Sequence, residues 1–278
     1  MPLIRMQRMT LGILSLSLVF SACSQNHHPH EKLDGTLWVQ TSIEYRMAAS
    51  QAYSLAKLRL DKGLADPAWT AALEQKGGLS QLPPAVILDI DETVLDNSGF
   101  EARLVEKDKS YDEDAWKEWA LEAKALAVPG ALEFVMVAQR KGVEVFFVTN
   151  RNHEVEDATR QNLIDLGFSI DGQHDVILTK NEREDWGSDK TTRRAYLAKK
   201  YRIVLLIGDD LNDFVSARVG PEQRAELAAQ HGDLWGEKWI VLPNPMYGSW
   251  EGALYNFQYD LTDAQKQERK YRMLKTYE

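Results

Sequence analysis

Three short apolar runs, each followed directly by polar side chains, constrain the fold of this 278-residue chain more than any other feature. The runs are AVIL at 85–88, VEVFFV at 143–148 and RIVLLI at 202–207. Strands that are buried on both faces of a parallel sheet have continuous apolar sequences of this kind. Weaker runs at 176–178 and 240–242 are the fourth and fifth candidate strands. The sequence therefore predicts a parallel sheet.

Stretches with helical periodicity separate these runs, at residues 129–141, 154–166, 189–200 and 222–230. Alternation of strands and helices is typical of α/β proteins, in which helices cover both faces of the sheet. We therefore predict an α/β fold with a Rossmann-like parallel sheet flanked by helices. Residues 98–128 do not fit the alternation, and we interpret them as a small helical insertion, or cap, beside the functional site.

Two helices are predicted before the sheet. Apolar residues recur at three- and four-residue spacing from Asp34 to about Asp61, and Gly63 would end this helix. Pro67 would open a second, shorter helix that ends at Gly77. Neither stretch carries a group of polar residues that would form a site, so both are predicted to be packing elements.

Residues 1–22 predict a secretory signal peptide rather than a part of the fold. Arg5 and Arg8 precede an apolar run of ten residues, and the small residues Ser21 and Ala22 follow it. A helix of this length is about 15 Å long, roughly half the thickness of a bilayer core, which argues against a membrane span.

Cys23 is the only cysteine of the chain, so no internal disulfide can form. The small residues before it resemble the lipobox of bacterial lipoproteins, in which such a cysteine is lipidated and becomes the first residue. The resemblance implies an anchored protein of the bacterial cell envelope, and the neutral Ser24 indicates the outer membrane. Residues 23–33 would be a lipidated tether and residues 34–278 a single domain. The alternative is an ordinary cleaved signal with an unrelated cysteine.

The acidic charge of the chain argues against nucleic acid as a partner. Lys and Arg number 33 against 42 Asp and Glu, which gives a formal net charge of −9. Proteins that bind nucleic acid through its phosphates carry an excess of positive charge instead. We therefore expect no nucleic-acid partner and look for a small-molecule substrate.

Each of the three strong runs ends in side chains that can perform chemistry. The first is followed by DIDET at 89–93, the second by TNR at 149–151 and the third by GDDLND at 208–213. Ligands of open parallel sheets bind outside the carboxyl ends of the strands, where these three clusters would meet. The convergence of three clusters indicates a site more strongly than any one motif.

The residue types of these clusters indicate phosphoryl transfer. Asp89 and Asp91 lie two residues apart on an extended segment, so both side chains leave the same face. In covalent phosphoryl transfer one carboxylate attacks phosphorus, while the other protonates the leaving oxygen and later deprotonates water. Asp209 and Asp213 would complete a site of oxygen ligands for a hard cation, which indicates Mg²⁺.

Two further side chains would bind the phosphoryl group. Thr149 offers a hydroxyl to a phosphoryl oxygen, and a lysine is expected to offset the negative charge that develops. Lys190 opens the helix before the third strong run and is our candidate. Lys180 is the alternative, although it follows a weak run and neighbours Asn181 and Glu182.

The order of these motifs resembles that of the haloacid dehalogenase (HAD) superfamily. More narrowly, ILDIDETVLDN at 87–97, LIGDDLNDF at 206–214 and LPNPMYGSWEG at 242–252 resemble the class C acid phosphatases, the bacterial lipoprotein 5′-nucleotidases. The resemblance covers essentially the whole predicted mature chain. Phe100 stands where this family usually has tyrosine, and Asp210 where it usually has asparagine or threonine.

The resemblance implies Mg²⁺-dependent hydrolysis of phosphomonoesters through an aspartyl-phosphate intermediate. Asp89 would be the nucleophile and Asp91 the general acid and base. The implied ligands of Mg²⁺ are the Asp89 carboxylate, the backbone carbonyl of Asp91, Asp209 and, through water or hydrogen bonds, Asp213. Thr149 and Lys190 would bind the transferring phosphoryl group. Asp210 would add negative charge beside the metal.

The resemblance implies nucleoside monophosphates as substrates, and aromatic residues beside a phosphate site could stack the nucleobase. The candidate substrate contacts are Trp116, Asn150, Arg151, Tyr247 and Trp250. The three-residue spacing of Trp116 and Trp119 is equally typical of the buried face of an amphipathic helix. The assembly would be a monomer or a homodimer.

Other functions share parts of this pattern. Asp-x-Asp also holds a metal in glycosyltransferases, but that function would leave Lys190 and residues 208–213 without a role. The sequence RNHE at 151–154 lacks the glycine of the metallophosphoesterase motif. The sequence also contains no Arg-His-Gly triplet, which argues against a phosphohistidine acid phosphatase. A surface-exposed binding or adhesion lipoprotein on an inactive fold would be expected to lack a catalytic aspartate, and none is missing. A phosphotransferase would use the same site.

Overall fold

The computed structural model describes residues 30–170 and 174–277. The predicted signal peptide, the predicted lipidation site at Cys23 and most of the predicted tether lie outside the described residues. Within the two described ranges, no helix is long and apolar enough to cross a membrane.

A parallel sheet forms the centre of the fold. In chain order, the strands of the described residues are β1 (Pro84–Leu88), β2 (Leu95–Asp96), β3 (Leu126–Ala127), β4 (Glu144–Asn152), β5 (Ile177–Lys180), β6 (Arg202–Gly208) and β7 (Trp239–Val241). Five of them pair in parallel in the order β5-β4-β1-β6-β7. The short strands β2 and β3 pair antiparallel with each other. All five candidate strands are present, so the predicted parallel sheet is confirmed.

Helices flank this sheet. Those of the described residues are α1 (Leu33–Thr41), α2 (Ile43–Ala65), α3 (Ser98–Lys107), α4 (Glu113–Glu122), α5 (Ala131–Arg140), α6 (Glu156–Asp165), α7 (Thr191–Ala198), α8 (Pro221–Gln230), α9 (Ser249–Leu254) and α10 (Asp263–Arg272). Helix α2 packs against α5 and against strands β6 and β7, while α7 packs against β6. The predicted α/β class is therefore confirmed.

The central strands β1 and β6 are buried along nearly their whole length. Val86, Leu88, Val204 and Leu205 are completely removed from solvent. Burial on both faces explains why these runs show no alternation of apolar and polar residues. Each fully buried aliphatic side chain of this size contributes about 1.5–3 kcal/mol to folding. These strands therefore form a stable base for the loops that follow them.

The predicted N-terminal helix is two helices, because the chain turns at Ser42. This residue has an extended backbone (φ −80°, ψ 137°), and its hydroxyl accepts the N–H of Tyr45 at 3.1 Å. Such a bond caps the N-terminus of α2. Tyr45 and Val39 pack with Met246 in a small second cluster. The turn thus brings α1 against the loop that follows β7.

The helix predicted at residues 67–77 is not formed, and this prediction is wrong. The N–H of Ala71 donates to the carbonyl of Ile203 at 2.7 Å. The indole N–H of Trp69 donates to the carbonyl of Val204 at 2.8 Å. Bonds to β6 replace helical hydrogen bonds in this segment, and helix-boundary residues alone do not reveal such tertiary bonds.

Residues 98–128 leave the sheet after β1 and contain α3 and α4, in agreement with the predicted helical insertion. Strands β2 and β3 pair at its base, with Leu95 opposite Ala127. The guanidinium of Arg103 in α3 lies 2.6 Å from the carboxylate of Glu122 in α4. The insertion is therefore closed at its base and cross-linked between its helices.

Packed structure begins inside the predicted tether of residues 23–33. The ammonium of Lys32 lies 2.7 Å from the carboxylate of Glu101, which is buried in α3. Lys270 of α10 lies 2.7 Å from Glu31. Residues 31 and 32 therefore contact the predicted domain of residues 34–278.

Candidate active site

The carboxyl ends of β1, β4 and β6 bring the three sequence clusters to one edge of the sheet. The hydroxyl of Thr149 in β4 donates to Oδ2 of Asp91, which follows β1, at 3.4 Å. The hydroxyl of Thr93 donates to Oδ1 of Asp209, which follows β6, at 3.2 Å. Because β1 lies between β4 and β6, the loop after β1 contacts the ends of both neighbouring strands.

Lys190 reaches this edge from the position just before α7. Its ammonium donates to Oδ1 of Asp89 and, at 2.7 Å, to Oδ1 of Asp213. All three side chains are buried. Burial lowers the pKa of Lys190, but Asp213 and Asp89 outweigh this effect, so the pKa is raised and the ammonium is retained. The alternative lysine, Lys180, ends β5 at the outer edge of the sheet.

Asp89, Asp209 and Asp213 form a cluster of oxygen atoms that fits a metal ion. One carboxylate oxygen of each lies within 4.8 Å of the others. The pKa of Asp89 is raised to about 7, because burial and the charges of Asp213 and Asp91 together outweigh the opposing effect of Lys190. Lys190 supplies one positive charge to three carboxylates, which leaves negative charge uncompensated. Oxygen donors with this charge fit a hard divalent cation such as Mg²⁺.

Asp209 is held by two neighbours. The amide of Asn244 donates to Oδ2 at 2.9 Å, and Thr93 donates to Oδ1. Burial, followed by the charges of Asp213 and Asp89, raises the pKa of Asp209 well above its usual range. Asn244 lies in the sequence LPNPMYGSWEG after β7, and this motif is the signal in the sequence that points to it.

Arg151 holds Asp91 instead of facing solvent. Its Nε and Nη2 lie 2.9 and 2.8 Å from Oδ1 of Asp91. Nη1 donates to the hydroxyl of Thr159 and Nη2 to Oδ1 of Asn97, both at 3.1 Å. The side chain of Arg151 is only 1% exposed. This arrangement favours a role in positioning Asp91 over the substrate contact predicted from the sequence.

Asn150 connects the end of β4 to the segment before α7. Its Oδ1 accepts from Nη2 of Arg193 at 2.7 Å, and its Nδ2 donates to the carbonyl of Ser188 at 3.0 Å. Arg193 also donates to the carbonyl of Thr149. These bonds support the segment that carries Lys190. The role of Arg193 could not be predicted from the sequence, because an arginine within an amphipathic helix carries no local signal of burial.

The side chain of Asp210 links two loops and does not join the cluster of oxygen atoms that fits the metal. Its carboxylate accepts the N–H of Asn212 at 2.9 Å and the N–H of Ser249 at 2.6 Å. The guanidinium of Arg224 lies 3.8 Å away. Its charge still contributes to the raised pKa of Asp209. Asp210 therefore joins the turn after β6 to α9.

The two tryptophans of α4 have different surroundings. The half-buried ring of Trp116 lies 5.5 Å from the guanidinium carbon of Arg151 and 5.1 Å from the ring of Phe100. Trp119 is buried, and its indole N–H donates to Oδ1 of Asn97 at 2.9 Å. The three-residue spacing thus marks the packed face of a helix, and Trp116 lies at the border of that face.

Tyr247 and Trp250 lie on the loop after β7 and at the start of α9. Trp250 is 43% exposed, and its indole N–H donates to the carbonyl of Tyr247 at 3.2 Å. The Tyr247 hydroxyl donates to Oε2 of Glu92. The ammonium of Lys32 lies 5.5 Å from the centre of the Tyr247 ring. The polar end of Tyr247 is therefore bound to the loop after β1.

Solved structures of acid phosphatases are similar to this chain. The class C acid phosphatase from Bacillus anthracis has a TM-score of 0.79 and 34% sequence identity, over 90% of this chain and 98% of that chain. A structure of class C acid phosphatase from Bacillus anthracis with tungstate bound has a TM-score of 0.79 and 33% identity over the same shares.

Comparison of sequences agrees with these structures. Acid phosphatase 1 from Solanum lycopersicum is 26% identical over 166 residues, which are 58% of this chain. The aligned region is 57% of the tomato protein, so the chain spans little more than half the length of this relative. Residues 17–250 match the acid phosphatase family of HAD subfamily IIIB. This chain therefore belongs to the acid phosphatases of subfamily IIIB of the HAD superfamily.

Proposed function

We propose that this protein hydrolyses phosphomonoesters in an Mg²⁺-dependent reaction, through an aspartyl phosphate on Asp89, with nucleoside monophosphates as substrates. The observation that carries the proposal is the contact of the Lys190 ammonium with both Asp89 and Asp213, beside Asp209. This contact brings the proposed nucleophile Asp89 and the cation of Lys190 together with the carboxylates that would hold a metal. The likeness to class C acid phosphatase over nine-tenths of the chain supports the proposal.

The proposed reaction has two steps. A carboxylate oxygen of Asp89 forms a bond to phosphorus while the bond from phosphorus to the leaving oxygen breaks. Asp91 donates a proton to that leaving oxygen, and then takes a proton from the water that attacks the aspartyl phosphate. This second step releases phosphate and regenerates Asp89. Thr149 and Lys190 bind the oxygens of the transferring group.

The residues that would hold the metal are the Asp89 carboxylate, the backbone carbonyl of Asp91 and Asp209. Mg²⁺ supplies the positive charge that lets an anionic phosphate approach two carboxylates. Asp213 already accepts from Lys190 and from the N–H of Asp210 at 2.9 Å, so we assign it a supporting place. Tungstate, bound in one of the Bacillus anthracis structures, is a tetrahedral oxyanion like phosphate, which supports an oxyanion site in this family.

Metal removal is expected to abolish hydrolysis of p-nitrophenyl phosphate. EDTA should stop the reaction and added Mg²⁺ should restore it. Loss of a residue that supports a metal ligand weakens metal binding by about 10- to 100-fold. Asp213→Ala should raise the Mg²⁺ requirement within that range, and Asp209→Ala should raise it further.

Two results would contradict this proposal. Wild-type dependence on Mg²⁺ in both variants would show that the metal lies elsewhere. A purified wild-type protein that hydrolyses no phosphomonoester with Mg²⁺ present would contradict the proposed function itself, and would favour a binding protein on an inactive enzyme fold.

The ring of Tyr247 is expected to contribute to nucleotide binding. Because its hydroxyl bonds to Glu92, the matched comparison is Tyr247→Ala with Tyr247→Phe, which both lose that bond. Stacking of a base on an aromatic ring contributes about 1–3 kcal/mol. The kcat/KM for nucleoside monophosphates should therefore be about 5- to 150-fold lower in the alanine variant than in the phenylalanine variant. Glycerol phosphate should be hydrolysed equally by both; parallel losses would identify a packing residue.

We also propose that the protein is anchored to the outer membrane through a lipid on Cys23. The support is the sequence before Cys23, which has the order of a lipoprotein signal. Labelling of cells with radioactive palmitate should mark the wild type and leave Cys23→Ser unlabelled. Incorporation of label into both proteins would contradict lipidation at this residue.

A further inference from the structure

Glu92 is a buried acid beside Asp91 that the proposed mechanism does not use. Its side chain and backbone together are 2% exposed, and its φ of 59° lies in the left-handed region that favours glycine. Its N–H donates to the carbonyl of Leu95 at 2.8 Å. Residues other than glycine keep such a conformation when their surroundings over-determine it, and they concentrate at functional sites.

The side chain of Glu92 bonds to Asn97, which lies five residues further along the chain, and to Tyr247, which is distant in the sequence. Oε1 accepts the backbone N–H of Asn97 at 2.7 Å. Oε2 accepts from Nδ2 of Asn97 at 3.0 Å and from the hydroxyl of Tyr247. Asn97 lies at the start of the insertion, and Tyr247 lies on the loop after β7. Glu92 therefore restrains both the backbone and the amide of Asn97.

The partners of Asn97 determine the direction of its amide. Oδ1 accepts the indole N–H of Trp119 at 2.9 Å and Nη2 of Arg151 at 3.1 Å, and both of these groups can only donate. Nδ2 donates to Oδ1 of Asp91 at 2.9 Å and to Glu92. A flipped amide would place donors against donors and its oxygen against Asp91, so the observed orientation is strongly favoured.

Asn97 and Arg151 occupy one oxygen of Asp91 and leave the other available. Oδ1 receives Nδ2 of Asn97 and two nitrogens of Arg151, at 2.8–2.9 Å. Oδ2 accepts from the Thr149 hydroxyl at the longer distance of 3.4 Å. An oxygen that accepts several N–H groups has no lone pair left for a proton. The proton that Asp91 exchanges in the proposed reaction therefore resides on Oδ2, beside the residue that binds the phosphoryl group.

We propose that Glu92 is a positioning residue that, by restraining Asn97, keeps Oδ1 of Asp91 bonded and directs Oδ2 toward the leaving oxygen of the substrate. This inference rests on the proposed phosphatase function. Glu92 touches neither the substrate nor the metal in this arrangement and acts through Asn97.

Glu92→Gln tests this role, since it keeps the size of the side chain. Burial raises the pKa of Glu92 well above its usual range, but Oε2 can accept from Nδ2 of Asn97 whether or not Glu92 carries a proton. Glutamine has one accepting oxygen, and its amide nitrogen would face a donor of Asn97. We expect Asn97 to shift and Asp91 to lose its fixed orientation, while Asp89 and Lys190 stay in place.

The measurement is kcat/KM for two phosphomonoesters whose leaving groups differ. This parameter reports the steps up to departure of the leaving group, and so excludes later hydrolysis of the aspartyl phosphate. p-Nitrophenolate leaves without a proton, whereas the alkoxide of glycerol phosphate needs one. Glu92→Gln should lower kcat/KM by about 10- to 100-fold for glycerol phosphate and by less than about threefold for p-nitrophenyl phosphate. Asp91→Asn should show the same contrast with a larger loss.

Glu101→Gln is the matched control for burial and charge. Glu101 is also 2% exposed, but it pairs with Lys32 at 2.7 Å and does not contact Asn97. Its substitution should change kcat/KM for the two esters by the same factor.

Equal losses for both esters in Glu92→Gln, or no loss, would overturn the positioning role. If that variant does not fold, Asn97→Ala supplies the same comparison, because it removes the link to Asp91 directly. A wild type that hydrolyses neither ester would overturn the proposed function instead, which separates the two failures.

Discussion

Asp89→Asn is expected to lower kcat/KM for p-nitrophenyl phosphate by more than about a hundredfold, or about 3 kcal/mol, without unfolding the protein. An amide cannot form the acyl phosphate that the proposed mechanism requires. Asparagine keeps the size of the side chain, and its carbonyl oxygen can still accept from Lys190. Burial and the charges of Asp213 and Asp91 raise the pKa of Asp89 and outweigh Lys190, which favours the ionised form, so the substitution should not decrease the free energy of unfolding.

Activity and melting temperature together test this prediction. Asp96→Asn is a suitable control, because Asp96 accepts the N–H of Ser98 at 2.8 Å and is not one of the three carboxylates that fit a metal ion. The activity of the Asp96→Asn variant should remain close to that of the wild type. An Asp89→Asn protein that keeps more than about a hundredth of the activity would show that Asp89 is not the nucleophile.

Lys190→Met is expected to reduce both activity and stability. Its ammonium contacts Asp89 and lies 2.7 Å from Asp213, and all three side chains are buried. Removal of one partner of a buried ion pair typically costs about 3–5 kcal/mol, because the remaining charge has no compensation. Urea denaturation without metal should show a loss of this size, and Mg²⁺ should restore part of it. The kcat/KM should fall by about 100- to 1000-fold, since Lys190 offsets the developing negative charge.

Lys180→Met is the control that separates the two lysines considered from the sequence. Lys180 lies on the edge strand β5, away from the contact with Asp89. Its substitution should leave both the urea midpoint and kcat/KM close to wild type. The reverse outcome, a loss with Lys180→Met and none with Lys190→Met, would transfer the phosphoryl-binding role to Lys180.

The sheet could be predicted because its central strands are covered on both faces. Burial along β1 and β6 requires an apolar side chain at nearly every position, and such runs are recognisable without any knowledge of the partners. Asp89 and Asp209 follow these strands directly. Their meeting at one edge therefore follows from the parallel order of the strands.

Local patterns failed where tertiary bonds replaced helical ones. Pro67 and Gly77 are ordinary helix-boundary residues, yet the segment between them bonds to β6 through Ala71 and Trp69. Ser42 interrupts the predicted first helix because its hydroxyl caps the next one. Helix propensity differs by only a few tenths of a kcal/mol between most residues, so a buried indole with a satisfied N–H outweighs it.

The chemical groups that gather at the edge of the sheet can be recognised in the sequence, whereas the way Asp91 is held depends on contacts between segments that are far apart along the chain. Arg151 follows Asp91 by 60 residues, and Tyr247 follows Glu92 by 155. Burial of apolar strands is not directional, so a periodic pattern is enough to specify it. A hydrogen bond requires its donor and acceptor to lie within a few tenths of an ångström of about 2.9 Å, and at a suitable angle. That placement depends on the paths of the insertion and of the loop after β7, which no repeat in the sequence encodes.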